Sequence, residues 1–341
     1  MLECENRLTK AVKFYTICFV WKWVFRLKHI FVVNPAAGKQ DSTEFVKNAV
    51  KDLDIDYEIY CTKCVGDATR YVEELAETGE QYRVYACGGD GTFNEVASGA
   101  VEKENISVSV FPCGSGNDYI KYYGTVDDFM DLDSLVNGVD TKVDMMKVHG
   151  RYAVNFVHFG FDSACLQTMM KVRRKKIIGG KHAYTTGVVT ALFNGMKHNC
   201  RITVDGKPIG REKMLLCTVG NGKYVGGKYK CAPLSDNSDG LLEICHVNPV
   251  SRLKFLTLIS AYEKGTHLMD KRFERYVNYT RGTVVEVEST NDKEMHFSID
   301  GELNFAKSFK VEIMKHAVNF TVPKKLYEKL FKEERTRALV D

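Results

Sequence analysis

The 341-residue sequence lacks an uninterrupted apolar run of the roughly 20 residues that a membrane-spanning helix requires. An aromatic and apolar stretch near the N-terminus, residues 14–25, is interrupted by Lys22, and no small-residue cleavage site follows it. A signal peptide is therefore not favoured. For residues 1–28 two interpretations stay open, an interfacial helix and a non-native extension from an upstream start codon.

Strong charge bias, internal repeats and low-complexity segments are also missing. The formal net charge is only +4, which by itself indicates no particular partner. Hydrophobic residues at 44% and charged residues at 27% are typical of a soluble globular protein. The length exceeds that of one average domain, so we expect two domains.

The sequence has few cysteine or histidine residues at the spacings typical of metal sites. The eleven cysteines are scattered singly apart from one CxxC pair, Cys61 and Cys64, and the nine histidines show no paired spacing. Without a second pair at zinc-ligand spacing, neither a zinc site nor a redox centre is favoured. Thiols that serve as small buried hydrophobes are typical of a reducing compartment, which predicts a cytoplasmic protein.

Alternating strand and helix patterns occupy the first part of the chain. This alternation predicts an α/β domain with a doubly wound parallel sheet over residues 29–143. In such sheets ligands bind beyond the carboxyl ends of the strands. Three polar loops follow predicted strands, at Asn34, Gly88 and Pro112, so we expect them at one edge of the sheet.

After about residue 145 the predicted strands are joined mostly by turns. This pattern indicates a mainly antiparallel, β-sandwich-like second domain over residues 144–315, with helices near residues 185–196 and 251–262. The charged tail from Pro323 is predicted to be helical. We expect the segment 316–341 to join the first domain.

The sequence GGDGTFNE at residues 88–95 is the most informative motif. It follows a predicted buried strand and opens a predicted helix, and its glycines let the backbone approach a ligand where a Cβ would clash. Free N–H groups and the helix dipole make such a terminus an anion site, whereas the alternative is a tight turn without a ligand. The candidate residues are Gly88, Gly89, Asp90, Gly91, Thr92, Phe93 and Asn94.

Two more loops carry related chemistry. PCGSGND at residues 112–118 repeats the glycine turn after a strand, and Asp90 and Asp118 could together hold Mg²⁺, which prefers carboxylate and water oxygens. NPAAGK at residues 34–39 is not a Walker A motif, because Val33 stands where glycine is needed and Gln40 where Ser or Thr is needed. This loop could present Lys39 and backbone N–H groups to a phosphate, or it is a plain turn.

Three segments of the second domain have weaker signals. The turns SDNSDGLL at 235–242 and SIDGE at 298–302 carry paired carboxylates but are common hairpin patterns. The basic run at residues 171–176 is either a solvated face or a site for anionic lipid headgroups. Nucleic acid is less favoured as a partner, because no aromatic stacking platform accompanies the run.

Together these motifs resemble the diacylglycerol kinase catalytic domain family, which includes sphingosine and ceramide kinases, and most closely its bacterial soluble lipid kinases. GGDGT alone is shared with NAD kinases and phosphofructokinases, whereas GSGND at 114–118 narrows the likeness to lipid kinases. The resemblance extends over roughly residues 29–325. It implies ATP bound in the cleft between the domains, with contacts from Asn34, Thr62, the segment 88–94 and Ser115.

The resemblance also implies further roles. A structural Mg²⁺ would be bound at Asp239, with Asp236 and Leu241 as flanking contributors. Asp90 would organise a metal on the phosphate side, and either Asp300 or Glu302 would be the base that takes the proton from the lipid hydroxyl. The sequence does not choose between these two carboxylates.

The predicted function is that of an ATP- and magnesium-dependent lipid kinase, with diacylglycerol as the acceptor and phosphatidic acid as the product. We expect a cytoplasmic protein that associates peripherally with the inner face of the membrane, and a homodimer is compatible with the sequence. The alternatives are a kinase of a sphingoid base, ceramide or another lipid, an NAD kinase-like phosphotransferase and a non-catalytic lipid-binding protein.

Overall fold

The computed structural model describes residues 27–38, 41–114, 116–174 and 198–337, with the backbone alone for 168–174 and 333–337. Several predicted features lie outside the described residues or side chains. They are the N-terminal extension up to residue 26, Lys39, Ser115, the side chains of the basic run at 171–176 and the helix predicted near residues 185–196.

The first domain alternates strands and helices as predicted. Its elements are β1 (Lys28–Val33), α1 (Thr43–Val50), β2 (Tyr57–Cys61), α2 (Asp67–Glu77), β3 (Tyr82–Gly88), α3 (Asp90–Gly99), β4 (Ile106–Pro112), a 3₁₀ turn (Tyr119–Tyr122), α4 (Val126–Met130) and α5 (Leu132–Val136).

Strands β1 to β4 form a parallel sheet in the order β4-β3-β1-β2. All residues of β3 and β4 are buried, including the polar Arg83, Ser107 and Ser109, as is typical of strands covered on both faces of a parallel sheet. Because the strands are parallel, the loops after β1, β2, β3 and β4 all lie at one edge. The predicted α/β domain with a parallel sheet is confirmed.

The second domain is built mainly of antiparallel strands. Its elements are β5 (Val139–Val148), β6 (Arg151–Ala153), β7 (Phe156–Gly160), α6 (Phe161–Arg174), β8 (His198–Val204), β9 (Lys207–Pro208), β10 (Lys213–Met214), β11 (Leu216–Gly220), β12 (Leu242–Val247), α7 (Arg252–Lys264), β13 (Val277–Gly282), β14 (Val284–Ser289), β15 (Met295–Ile299), β16 (Glu302–Ala306) and β17 (Ser308–Val322).

Two sheets of this domain face each other across one apolar core. One sheet is antiparallel throughout, with the order β13-β12-β11-β7-β15-β16, and the other contains the antiparallel run β10-β8-β14-β17. Val219 and Phe297 from the first sheet pack with Val285 and Val311 from the second. This arrangement confirms the predicted β-sandwich.

Strand β17 connects the two domains. Its first residues pair with β14, while Asn319 and Phe320 pair in parallel with β4, and its register against β5 shifts between Met314 and Val318. The C-terminal helix α8 (Lys324–Arg337) follows and buries Leu326 against the first domain. Along the described ranges no helix is both long and apolar enough to cross a bilayer.

Candidate active site

The glycine turns after β3 and β4 lie against each other. The N–H groups of Cys113 and Gly114 both donate to the carbonyl oxygen of Gly88, at 3.0 and 2.9 Å. A Cβ on Gly114 would overlap the backbone of Gly89, and a Cβ on Gly116 would lie 2.6 Å from Asp90 Oδ2. The close approach of the two turns therefore requires glycine at positions 114 and 116.

Helix α3 begins at this junction. Gly89 occupies its N-cap and has no side chain with which to cap the helix, so the N–H groups of the first turn are available at the loop edge. Asn34 Nδ2 donates to Thr92 Oγ1 at 3.1 Å, and Asn34 Oδ1 accepts from the N–H of Ala36 at 3.0 Å, which holds the loop after β1 beside the helix. The N–H of Thr62 donates to Val33 at 2.9 Å at the same edge. The geometry is that of an anion site.

Asp90 is a buried carboxyl group that lies near another carboxylate. Its Oδ1 accepts from the N–H groups of Asp118 at 2.6 Å and Tyr119 at 3.3 Å. Burial and the carboxylate of Asp118 nevertheless raise the pKa of Asp90 to about 6. The Asp118 carboxylate itself is engaged by Lys121 Nζ at 2.6 Å and by the N–H of Gly227 at 3.0 Å. A cation bound at Asp90 would therefore stabilise its ionised form.

The raised pKa of Asp90 predicts a pH-dependent gain in stability for Asp90→Asn. The folded pKa of about 6 lies above the ordinary value of 3.8, so wild-type stability falls as the pH rises from about 4 to 6 and stays low above that range. The neutral amide avoids this loss and keeps an oxygen that accepts from both N–H groups. We expect the free energy of unfolding of the variant to exceed that of wild type by up to about 3 kcal/mol at pH 8, and by little at pH 4.

Urea denaturation of the ligand-free protein at the two pH values measures this difference. A variant that is less stable than wild type at pH 8 would contradict the electrostatic assignment. The sequence predicts a kinase, so the variant is also expected to transfer less phosphate than wild type at pH 8, where the wild-type Asp90 carboxyl is ionised.

The predicted DGE turn meets the first domain through Asp300. Asn94 Nδ2, in the second turn of α3, donates to Asp300 Oδ2 at 2.8 Å and also reaches the carbonyl of Tyr152 at 3.1 Å. Asp300 and Gly301 form a two-residue hairpin between β15 and β16 and have φ values of +43° and +86°. An Asp-Gly pair suits such a turn because both residues tolerate the left-handed region.

The two carboxylates of this turn have different surroundings. Asp300 accepts from three consecutive backbone N–H groups, those of Val154, Asn155 and Phe156, at 2.7 to 3.0 Å, as well as from Asn94. Burial raises its pKa, and the four hydrogen bonds oppose that rise. Glu302, by contrast, is half exposed and is paired with the guanidinium of Arg151. Asp300 therefore holds the turn in place, while the Glu302 carboxylate is exposed to solvent.

An apolar cavity opens beside the DGE turn. Gly301 and Ser298 form part of its wall, and His158 and Asp162 are its other polar residues. Burial raises the pKa of Asp162 to about 6. The rest of the wall is mostly hydrophobic and comes from α6, β11 and α7, including Phe161, Cys165, Leu216, Phe255, Leu258 and Tyr262. The cavity suits an apolar molecule whose polar end reaches the turn.

The turn at residues 235–242 does not fit the structural magnesium site that the resemblance implies. The Asp239 carboxylate is paired with the guanidinium of Arg281 and accepts from the N–H of Leu241 at 2.9 Å. Asp236 Oδ1 accepts from the N–H and hydroxyl of Ser238 at 3.0 and 2.7 Å. Arg281 also pairs with Glu243 at 2.7 Å, so its guanidinium supplies the positive charge that neutralises Asp239 and Glu243. Among the described residues no group of three potential ligands could hold a metal ion.

The structure thus brings most of the predicted site residues to one place. Asn34, Thr62, the segment 88–94 and the described residues of the glycine turn, 112–114 and 116–118, lie at the carboxyl edge of the parallel sheet, and Asp300 joins this edge from the second domain. Asp239 is instead paired with Arg281, and Asp236 accepts from Ser238 and from the hydroxyl of Tyr122. Sequence reasoning missed Arg151 and Asp162, because neither belongs to a short motif.

Comparisons with known proteins agree with this geometry. Residues 28–148 match the family described as diacylglycerol kinase catalytic domain, and residues 155–322 match the YegS C-terminal NAD kinase beta sandwich-like domain. A protein of Bacillus subtilis named diacylglycerol kinase is 28% identical over 80% of this chain and 88% of its own length. A Yersinia enterocolitica protein named "Probable lipid kinase YegS-like" is 28% identical over 84% of this chain and 95% of its own length.

A crystal structure of a diacylglycerol kinase from Bacillus anthracis has the same fold. It superposes with a TM-score of 0.64 over 89% of this chain and 98% of that one, at 22% identity. The first match covers the α/β domain together with β5, and the second covers the β-rich domain from β7 to β17. Residues 28–148 therefore form a domain of the diacylglycerol kinase catalytic domain family, and residues 155–322 form a YegS-type NAD kinase beta sandwich-like domain, a combination that places the chain among lipid kinase-like proteins.

Proposed function

We propose that this protein uses ATP and Mg²⁺ to phosphorylate diacylglycerol to phosphatidic acid at the inner face of the membrane. The observation that carries the proposal is the hydrogen bond between Asn94 and Asp300. It joins an anion-binding helix terminus to a turn in the wall of an apolar cavity. A phosphate donor and an apolar acceptor would meet at this turn.

The donor side consists of backbone groups and one carboxylate. The first-turn N–H groups of α3 and the two glycine turns would bind the nucleotide phosphates. Mg²⁺ bound with a nucleotide takes most of its ligands from phosphates and water, so a single carboxylate such as Asp90 suffices on the protein side. When bound, the ion neutralises charge that develops on the transferred group.

The acceptor side consists of the cavity and Glu302. Acyl chains would lie among the hydrophobic side chains of the cavity, which leaves the glycerol hydroxyl at the DGE turn. As the bond from this oxygen to the γ-phosphorus forms and the bond to ADP breaks, the Glu302 carboxylate accepts the hydroxyl proton. Asp300 is a positioning residue, since its carboxylate is fully engaged by backbone and Asn94 donors.

The nature of the cavity favours a lipid over a soluble nucleotide as the acceptor. Most of its wall is aliphatic or aromatic, whereas a dinucleotide would need several donors for its phosphates and sugars. The name of the Bacillus subtilis relative supports diacylglycerol among the lipids.

A transfer assay with γ-labelled ATP, Mg²⁺ and separate acceptors tests the proposal. Purified full-length protein would be given detergent-dispersed diacylglycerol, sphingosine or ceramide, or NAD, and the labelled products would be separated chromatographically. We expect labelled phosphatidic acid as the main product. Labelling of only sphingosine or ceramide would overturn the acceptor, labelling of only NAD would overturn the lipid kinase activity, and no labelling at all would overturn the enzymatic function.

A further inference from the structure

Helix α7 is apolar on two opposite faces. Phe255, Leu258, Ala261 and Tyr262 are buried at the three- and four-residue spacing of one helix face. Leu253 and Leu256 lie three residues apart on another face and are 79% and 55% exposed. A surface helix of a globular domain normally carries polar side chains on its outer face, so the two exposed leucines indicate a surface that binds another apolar molecule.

The turn that follows α7 extends this apolar surface. Met269 is 73% exposed, and its turn packs on the helix through the stacked rings of Tyr262 and His267, 3.8 Å apart. Lys254 Nζ lies over the rings of Phe273 and Tyr276, at 5.0 and 5.6 Å, and so joins the start of α7 to the end of the same turn. We refer to residues 251–276, with these exposed side chains, as the α7 surface.

The α7 surface is also basic. Residues 251–276 contain six Lys or Arg and three Asp or Glu residues, an excess of three positive charges. Two of the three acids are paired, Glu263 with Lys228 at 3.1 Å and Asp270 with Arg272 at 2.5 Å. Exposed leucines and methionine among excess basic side chains are the features by which an interfacial helix binds an anionic bilayer.

The α7 surface lies next to the apolar cavity. The inner face of α7 contributes Phe255, Leu258 and Tyr262 to the cavity wall, so one helix separates the cavity from the exposed leucines. We propose that the α7 surface docks on anionic phospholipid membranes and thereby places the cavity at the bilayer that contains the acceptor. The docking itself is independent of the function proposed above, whereas the placement of the cavity at the acceptor rests on that function.

Vesicle sedimentation of the full-length protein tests the docking. Vesicles of mixed phosphatidylglycerol and phosphatidylcholine are compared with pure phosphatidylcholine, at low and high salt. Wild type is expected to bind the anionic vesicles more tightly and to lose affinity at high salt, because part of the attraction is electrostatic. Equal binding to both vesicle types, or no binding to either, would overturn the proposal.

The double variant Leu253→Ser/Leu256→Ser is expected to bind anionic vesicles at least about tenfold more weakly, because two apolar side chains no longer enter the bilayer. The matched control is Val65→Ser/Val126→Ser, which removes two exposed apolar side chains of the first domain, 84% and 39% exposed. The control is expected to bind like wild type. Undiminished binding by the α7 variant, or an equal loss in the control, would overturn the assignment to this surface.

A transfer assay separates the docking from the catalytic proposal. The α7 variant is expected to lose transfer to diacylglycerol in vesicles but to keep it with detergent-dispersed diacylglycerol. Equal loss with both forms would show that the leucines act on the site and not on docking. If wild type transfers to neither form, the proposed function fails, while sedimentation still decides the membrane binding.

Discussion

Replacing Glu302 with Gln is expected to lower phosphoryl transfer about 10²- to 10⁴-fold, because the variant has no carboxylate to accept the proton of the acceptor hydroxyl. The Glu302 side chain is 52% exposed and directly follows Gly301, which lines the apolar cavity, so it has room to approach a bound substrate. Gln has nearly the same shape and keeps a hydrogen-bond acceptor for Arg151. The expected loss is therefore in kcat with dispersed diacylglycerol, with nucleotide affinity close to that of wild type.

The fold of this variant is expected to remain intact. A partly exposed ion pair such as Arg151–Glu302 contributes only about 0–1 kcal/mol, so the free energy of unfolding should change by no more than that. Glu312→Gln is the matched control, since Glu312 is 40% exposed and paired with Lys310 in the same domain. It should retain full transfer. Wild-type turnover by Glu302→Gln would exclude Glu302 as the base.

The anion site at the carboxyl edge of the parallel sheet was predictable from sequence because short, local motifs form it. Each glycine turn follows directly on a buried strand, and the helical spacing after Asp90 marks the start of α3 within a few residues. Parallel strands then bring the loops to one edge whatever the details of packing. The contacts between the two turns at Gly89 and Gly114 follow from the adjacent positions of β3 and β4.

The different roles of Asp300 and Glu302 could not be predicted in this way. They lie two positions apart, yet the donors that engage Asp300 come from residues 144 to 146 positions away and from Asn94, 206 positions away. Only the tertiary fold brings these groups together. The cavity is equally non-local, since its wall combines single residues from α6, β11 and α7 without a common spacing.

Two expectations about acidic residues depended on partners that the sequence does not reveal. Asp118 was a candidate to hold Mg²⁺ together with Asp90, but Lys121 and the N–H of Gly227 engage its carboxylate. Asp239 was expected to bind a structural metal, but Arg281 supplies the positive charge. In both cases a basic side chain or a backbone N–H group donates to the carboxylate oxygens. These donors lie outside the acidic motif, so the motif alone does not predict them.

Replacing Asp300 with Asn is expected to lower the free energy of unfolding by about 1–3 kcal/mol and to reduce transfer strongly. Each carboxylate oxygen accepts two N–H groups: Asn155 and Phe156 donate to Oδ1, while Val154 and Asn94 donate to Oδ2. An amide offers one oxygen and one NH₂ group. Whichever way it rotates, two buried donors then face another donor, while relief from burying a charge offsets only part of this cost.

Asp292→Asn is the matched control for this prediction. Asp292 has a φ of +56°, similar to the +43° of Asp300, but its side chain is 88% exposed and is paired with Lys307. A cost due to backbone conformation would appear in both variants, whereas a cost due to buried donors would appear only at Asp300. Urea denaturation is expected to give a change below about 0.5 kcal/mol for the control. Equal stability of Asp300→Asn and wild type would mean that the Asp300 hydrogen bonds do not hold the two domains at the site.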